Sequence, residues 1–132
     1  MARGYTPIST TAQDLTTSWA DFGSEVEVWN HRSMGLWCNN DINNGANIRV
    51  RVLAKGVSGG TDEFILPIKI VGTTETKLSL GYYEFDSDAD QKVLLEITLA
   101  NLVPYVQVQV QAGTAGAPTA AQMDFIYYTL GN

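Results

Sequence analysis

Four segments of this chain alternate apolar and polar residues with a period of two, and this alternation limits the folds open to it. Residues 47–52, 92–99 and 106–111 alternate most clearly, and residues 122–127 do so more loosely. Successive side chains of a β-strand point to opposite faces, so each such segment has one wet face and one buried face. Antiparallel sheets show this alternation, whereas strands of parallel sheets are usually apolar on both faces. The sequence therefore predicts an all-β, antiparallel fold.

The alternation also predicts which side chains are buried. Gln107, Gln109 and Gln111 should lie on the face opposite the core, because a slip of one residue would invert every side chain. The apolar members of the clearest segments should form the core: Val50, Val52, Val93, Leu95, Ile97, Val106, Val108 and Val110.

Candidate strands follow one another at short intervals, separated by turns rich in Gly and Asn, such as residues 56–60 and 113–118. Regular short strands with such turns predict a β-sandwich, which we expect to be jelly-roll-like. Pro67 cannot donate a ladder hydrogen bond and so predicts an edge strand or a bulge. The candidate strands cover residues 14–21, 24–29, 33–39, 47–55, 63–71, 75–80, 82–86, 91–99, 104–112 and 122–129.

The chain has 132 residues, which suits one domain with a core of its own. We divide it into an extended N-terminal arm, residues 1–13, and a single sandwich domain, residues 14–132. The arm is polar and has too little apolar surface to offset the entropy of ordering, so we expect it to be mobile in the free protein. Arg3, Tyr5, Pro7 and Ile8 are its candidate contacts to a partner protein or a neighbouring subunit.

The formal net charge is −6, from 14 acidic and 8 basic residues. Nucleic-acid binding depends first on neutralising phosphates, so this balance argues against a nucleic-acid partner. Arg49, Arg51 and Lys55 still form a short basic stripe on one strand face. We interpret the stripe as cross-strand pairing with Glu or Asp. The alternative is a docking patch for an acidic partner.

Cysteine usage and apolar runs indicate the compartment. The single cysteine, Cys38, excludes an intrachain disulfide, and its apolar neighbours Leu36 and Trp37 predict a buried, inert thiol. The N-terminus lacks the apolar stretch of a signal peptide, and no run approaches the roughly 20 apolar residues of a membrane span. We therefore expect a soluble protein that is made in a reducing compartment such as the cytoplasm and leaves it, if at all, by cell lysis, with no membrane partner.

Residues suited to catalysis or metal binding are sparse. His31, the single histidine, lies in a probable turn, where we expect it to be solvated. One histidine and one cysteine cannot make a usual zinc site. Asp86, Asp88 and Asp90 could converge on Ca²⁺ like the first half of an EF-hand loop, but Lys92 stands where an acceptor is needed. Ordinary turn chemistry is the alternative for these acids. We expect no cofactor and no enzymatic activity.

Aromatic residues make up 10% of the chain. They could form a sugar-stacking platform, as in a carbohydrate-binding module, or they could pack in the core and in interfaces, where aromatics are frequent. The candidates are Trp19, Trp29, Trp37, Tyr82, Tyr83, Tyr127 and Tyr128.

Several segments, by their sequence character and their order along the chain, carry a family resemblance. It covers most of the chain, from Thr17 to Gly131. These segments are residues 17–26, 35–37, 47–54, 62–68, 104–114 and 127–131. Together they resemble small virion proteins of tailed bacteriophages, namely capsid decoration proteins and related head-surface proteins with a β-sandwich, often jelly-roll, fold.

The resemblance implies a non-enzymatic structural protein on the capsid exterior, bound to the major capsid protein, with no catalytic residues to carry over. It also implies a homotrimer, since such proteins often cap local threefold positions. Two alternatives stay open from the residues themselves. One is a carbohydrate-binding or host-adhesion module, and the other is a tail or neck component of the virion.

Overall fold

The computed structural model describes residues 6–8, 13–40, 48–71, 81–85, 91–112, 122–123 and 125–132, and this part of the chain contains strands and turns but no helix. Its strands are β1 (Thr6–Pro7), β2 (Gln13–Asp14), β3 (Ala20–Asp21), β4 (Val26–Glu27), β5 (Ser33–Asn40), β6 (Ile48–Lys55), β7 (Glu63–Ile65), β8 (Ile68–Ile70), β9 (Tyr83–Phe85), β10 (Gln91–Thr98), β11 (Tyr105–Ala112), β12 (Gln122–Met123) and β13 (Phe125–Gly131).

The strands form two antiparallel sheets that pack face to face. The five-stranded sheet has the order β1-β13-β5-β10-β8. The six-stranded sheet has the order β3-β11-β6-β7, with β4 also paired to β11 and β9 to β6. β2 and β12 form a separate two-stranded pair. The predicted all-β sandwich is confirmed, and its jelly-roll connectivity stays a prediction.

The core lies between the sheets and is built from the alternate residues of the four longest strands and of β13. Burying such a side chain stabilises the folded state by about 1.5–3 kcal/mol. The fully buried members on these strands include Met34, Leu36, Ile48, Val50, Val52, Leu95, Ile97, Val106, Val108, Val110 and Ile126.

Val93 is the one predicted core residue that is only partly buried. The physical reason lies in the sheet: β8 pairs with residues 95–97 of β10 and stops short of Val93. Gln107, Gln109 and Gln111 lie on the outer face as predicted, but Gln107 is only 3% exposed. Its amide nitrogen donates to the carbonyl oxygens of Gly23, at 3.2 Å, and Val108, at 2.9 Å. The chain between β3 and β4 therefore covers this position.

The predicted strand over residues 63–71 is in fact two strands in different sheets. β7 pairs with β6 in the six-stranded sheet, and β8 pairs with β10 in the five-stranded sheet. Pro67 lies between them, where its fixed φ and missing N–H end the pairing. Both flanking strands stand at sheet edges, as Pro67 indicated. The candidate strand at residues 75–80 lies outside the described residues.

The described part of the predicted arm, residues 6–8, lies on the sandwich itself. β1 pairs with β13, and the Ile8 N–H donates to the carbonyl oxygen of Ile126 at 2.8 Å. Ile8 packs against the core. Gly23 has a φ of +73°, and a Cβ there would collide with the Ile8 carbonyl oxygen, so only glycine fits. Residues 6–8 therefore have partners within this chain, which differs from the mobility expected of the arm.

Candidate functional site

Hydrogen bonds tie together the centre of the outer face of the six-stranded sheet. Arg51 donates through Nε and Nη2 to Oε1 of Gln109, at 2.9 and 2.6 Å. Gln109 in turn donates through Nε2 to Oδ1 of Asp21, at 2.9 Å. These residues stand opposite one another on β6, β11 and β3, so the strand register creates the chain of contacts.

Two aromatic rings cover the arginines of the same face. The Arg51 guanidinium lies 4.3 Å from the centre of the Trp19 ring, and that of Arg49 lies 4.7 Å from the centre of the Tyr82 ring. Arg49 also donates to Glu84, its cross-strand neighbour, at 2.9 Å. Each cation–π contact of this kind stabilises the fold by about 0.5–2 kcal/mol. The Trp19 and Tyr82 rings are thus used in packing within the chain.

Lys55 completes the basic stripe with ion pairs of its own. Its ammonium lies 3.0 Å from Glu25 and 3.6 Å from Glu63. Glu25 also accepts from the Ser58 hydroxyl and from the Gly59 N–H, both at 2.9 Å. The hydrogen bond from Lys55, followed by those from Gly59 and Ser58, lowers the pKa of Glu25. The same bond to Glu25 raises the pKa of Lys55.

The cross-strand interpretation of the basic stripe is therefore confirmed for Arg49 and Lys55. Arg51 differs, since its hydrogen-bond acceptor is the neutral amide of Gln109. Each of the three cations has contacts within the chain, and the carboxylates paired with Arg49 and Lys55 leave little of their charge for an acidic partner.

The outer face of the five-stranded sheet has a different character. Tyr127, Trp37 and Leu94 stand directly opposite one another on β13, β5 and β10. Val71 extends this row beyond β10, where its N–H donates to the Leu94 carbonyl oxygen at 3.0 Å. Trp37 and Val71 are each 42% exposed. An apolar row thus crosses the sheet on its outer side.

A groove of about 280 Å³ lies beside this row. Its floor is Gly35, which stands between Thr129 and Glu96 on the neighbouring strands and has no side chain to fill the space. Trp37 forms a wall, and its indole Nε1–H donates to the Thr129 hydroxyl oxygen at 3.2 Å. Leu94 completes the apolar side of the groove. The groove therefore combines an exposed indole ring with a carboxylate and a hydroxyl.

A second apolar feature lies on β7, at the edge of the six-stranded sheet. Phe64 is 73% exposed and Ile65 is 52% exposed. Among the described residues, β7 pairs only with β6, on one side. Consecutive exposed apolar side chains on an edge strand are the surface that other chains pair with most readily.

Most candidate contact and metal residues named from the sequence fall outside the described part of the chain. Asp86, Asp88 and Asp90 lie there, as do Arg3 and Tyr5. Pro7 is exposed on β1, beside Tyr127 of this chain's own β13. Contacts of Pro7 and Ile8 with a neighbouring chain stay a prediction. Within the described residues, no three His, Cys, Asp or Glu side chains cluster as metal ligands do.

Cys38 and one ring nitrogen of His31 are shielded from solvent. Cys38 is buried, as predicted, and this burial raises the pKa of its thiol to about 12. His31 is partly buried, and its Nδ1 is shielded from solvent without a hydrogen-bond partner among the described residues. The expectation of a solvated histidine is wrong for this nitrogen.

Sequence reasoning named Trp37 as a candidate but missed the residues that make its groove. Gly35, Glu96 and Thr129 are far apart in the sequence and meet only through the registers of β5 with β10 and β13. The period-two pattern could have placed them on the outer face, but not side by side. Phe64 and Ile65 carried a weaker signal, as part of the apolar run that ends at Pro67.

The described part of the chain contains no helix that could cross a membrane. No protein-family model, no curated protein and no solved structure matches this chain.

Proposed function

We propose that this chain is a non-enzymatic structural protein of a tailed-phage virion that binds the outside of the capsid and stabilises it. The observation that carries the proposal is the exposed apolar edge strand β7, with Phe64 and Ile65. The resemblance of residues 17–131 to capsid decoration proteins supports the choice of the major capsid protein as the partner. The sandwich supplies a rigid body that presents this edge.

An exposed edge strand supports attachment to another protein for two physical reasons. The N–H and C=O groups on the outer side of β7 have no strand partner among the described residues and can add to a strand of another protein, which gives affinity with little demand on sequence. The apolar side chains of β7 would be removed from water at the contact, which adds binding free energy to that of the backbone hydrogen bonds. Natural edge strands are usually protected by charge or by proline, and on β7 such residues, Glu63 and Pro67, stand only outside the exposed pair Phe64 and Ile65.

Decoration stabilises a shell by mass action. A protein that binds only the assembled shell lowers the free energy of that state by RT ln(1 + [L]/Kd), which is about 2.7 kcal/mol when the free protein is at 100 times its Kd. No chemistry is required of the bound protein. The role requires a rigid body, a docking surface and many copies, and a homotrimer on local threefold positions is the arrangement that the resemblance favours.

Co-sedimentation with purified capsids lacking this protein tests the proposal. We expect the double variant Phe64→Ser with Ile65→Thr to bind at least tenfold more weakly, since buried apolar anchors at an interface are worth about 2 kcal/mol or more. Leu102→Ser is the matched control, because Leu102 is 78% exposed and lies in the turn between β10 and β11. Equal binding by the wild type and the double variant would refute the role of β7.

The same variants decide whether β7 contacts the shell or a second copy of the chain. Light scattering of the wild type gives the oligomeric state in solution. If the wild type is a trimer and the double variant a monomer, β7 is a subunit contact. If the oligomeric state is unchanged while capsid binding is lost, β7 contacts the shell.

A further inference from the structure

We propose that the groove beside Trp37 binds a single uncharged sugar residue of a glycan. The groove lies on the outer face of the five-stranded sheet, whereas β7 is an edge of the other sheet. The inference therefore goes beyond shell binding and stands without it. In a virion protein, such a site would add attachment to a glycan-bearing surface.

The first argument is the indole ring of Trp37. Pyranose rings present a face of C–H groups that packs on an aromatic ring, and an aromatic side chain supplies large apolar contact area at little entropic cost. The hydrogen bond from Nε1 to Thr129, at 3.2 Å, holds the indole in one orientation. A Cβ on Gly35 would come within 2.7 Å of the Thr129 hydroxyl oxygen, so glycine preserves this arrangement. The ring is thus oriented before any ligand arrives.

The second argument is the set of polar groups around the ring. Glu96 lines the groove and has no ion-pair partner among the described residues. Its carboxylate can accept from two sugar hydroxyls, and charge-assisted hydrogen bonds are roughly twice as strong as neutral ones. Thr129 accepts from Trp37 and keeps one hydroxyl proton to donate. An apolar ring with a few converging polar groups is typical of small-molecule sites.

The charge and the size of the groove select the class of sugar. Glu96 is the one ionic group among its lining residues, so an anionic sugar would meet repulsion there. Lys69 stands opposite Glu96 on β8 but is exposed and outside the lining. The volume of about 280 Å³ is just below the range of roughly 300–1,000 Å³ that drug-sized ligands occupy. The groove therefore suits one neutral hexose or N-acetylhexosamine.

The test is a nuclear magnetic resonance titration of the full chain with methyl glycosides of glucose, galactose, mannose and N-acetylglucosamine, and with N-acetylneuraminic acid as the anionic probe. We expect at least one neutral glycoside to shift the Trp37 indole and the amides of Gly35 and Glu96, with a Kd of about 1 mM. N-acetylneuraminic acid should shift none of them. No response from any neutral glycoside would overturn the proposal.

Variants separate sugar binding from general effects. Trp37→Ala should weaken binding at least tenfold, and Glu96→Gln should weaken it several-fold. Trp29→Ala is the control and should leave sugar binding unchanged. Trp29 is 47% exposed, similar to Trp37, but it lies outside the groove. Thermal melts check that each variant is folded. If Trp37→Ala abolishes capsid binding and no glycoside binds the wild type, the face belongs to the shell and the proposal fails.

Discussion

The adjacent residues Leu94 and Leu95 show how one step along a strand changes the role of a side chain. Leu95 is fully buried between the sheets, whereas Leu94 lies on the outer face beside the groove. We expect Leu95→Ala to lower the free energy of unfolding by about 2–5 kcal/mol, because it leaves a cavity in the core. Leu94→Ala is the matched control and should lower the free energy of unfolding by less than about 1 kcal/mol. Urea denaturation measures both, and the reverse order would mean that the register is shifted by one residue.

The Glu25–Lys55 pair predicts a particular dependence of stability on pH. The pKa of Glu25 is lowered from its ordinary value of 4.5 in the folded state, so its stabilising effect is present above that pH and is lost as the pH falls through the lowered pKa. The pKa of Lys55 is raised from 10.5, so its contribution is present below that pH and is lost as the pH rises through the raised pKa.

We therefore expect Glu25→Gln to lower the melting temperature at neutral pH and to have a smaller effect in acid, where wild-type Glu25 is itself protonated. Melting temperatures of both proteins across this pH range test the prediction. Asp62→Asn is the control variant, because Asp62 is exposed and has no ion-pair partner among the described residues, so we expect the melting temperature of this variant to stay close to that of the wild type. A difference between wild type and Glu25→Gln that stays constant into acid would contradict the assignment.

The sequence predicted the side chains that obey a local rule and missed those that depend on register. Val106, Val108 and Val110 were placed correctly because alternation along one strand decides their face. The groove required knowing that Gly35 stands between Thr129 and Glu96, and no local pattern encodes which strands are neighbours. The exposure of Phe64 likewise depends on where the chain turns at Pro67.

Among the strands, β1 differs most from the role expected of it. It was expected to be part of a mobile arm, yet it pairs with β13 and places Ile8 against the core. Removing residues 1–8 should therefore lower the free energy of unfolding by about 1–3 kcal/mol, from lost apolar burial and a lost hydrogen bond. Removing residues 1–5 alone is the control, since it leaves β1 in place. Equal stability of both truncated chains would show that β1 adds nothing to the fold.

The molecule as a whole has outer surfaces of contrasting chemistry on one rigid core. The outer face of the six-stranded sheet is occupied by its own ion pairs and stacked rings, around Arg49, Arg51 and Lys55. The β7 edge and the Trp37 groove instead expose apolar side chains, on different sheets. A sandwich of this kind can be bound to a shell through one surface and still present another to solvent.

Electron cryomicroscopy of virions produced with and without the gene for this chain is the most direct test of capsid decoration. We expect density for the sandwich at regular positions on the outside of the capsid, and loss of this density from the mutant particles, which should also disrupt at a lower temperature. Indistinguishable capsids and equal heat resistance in the two preparations would contradict it.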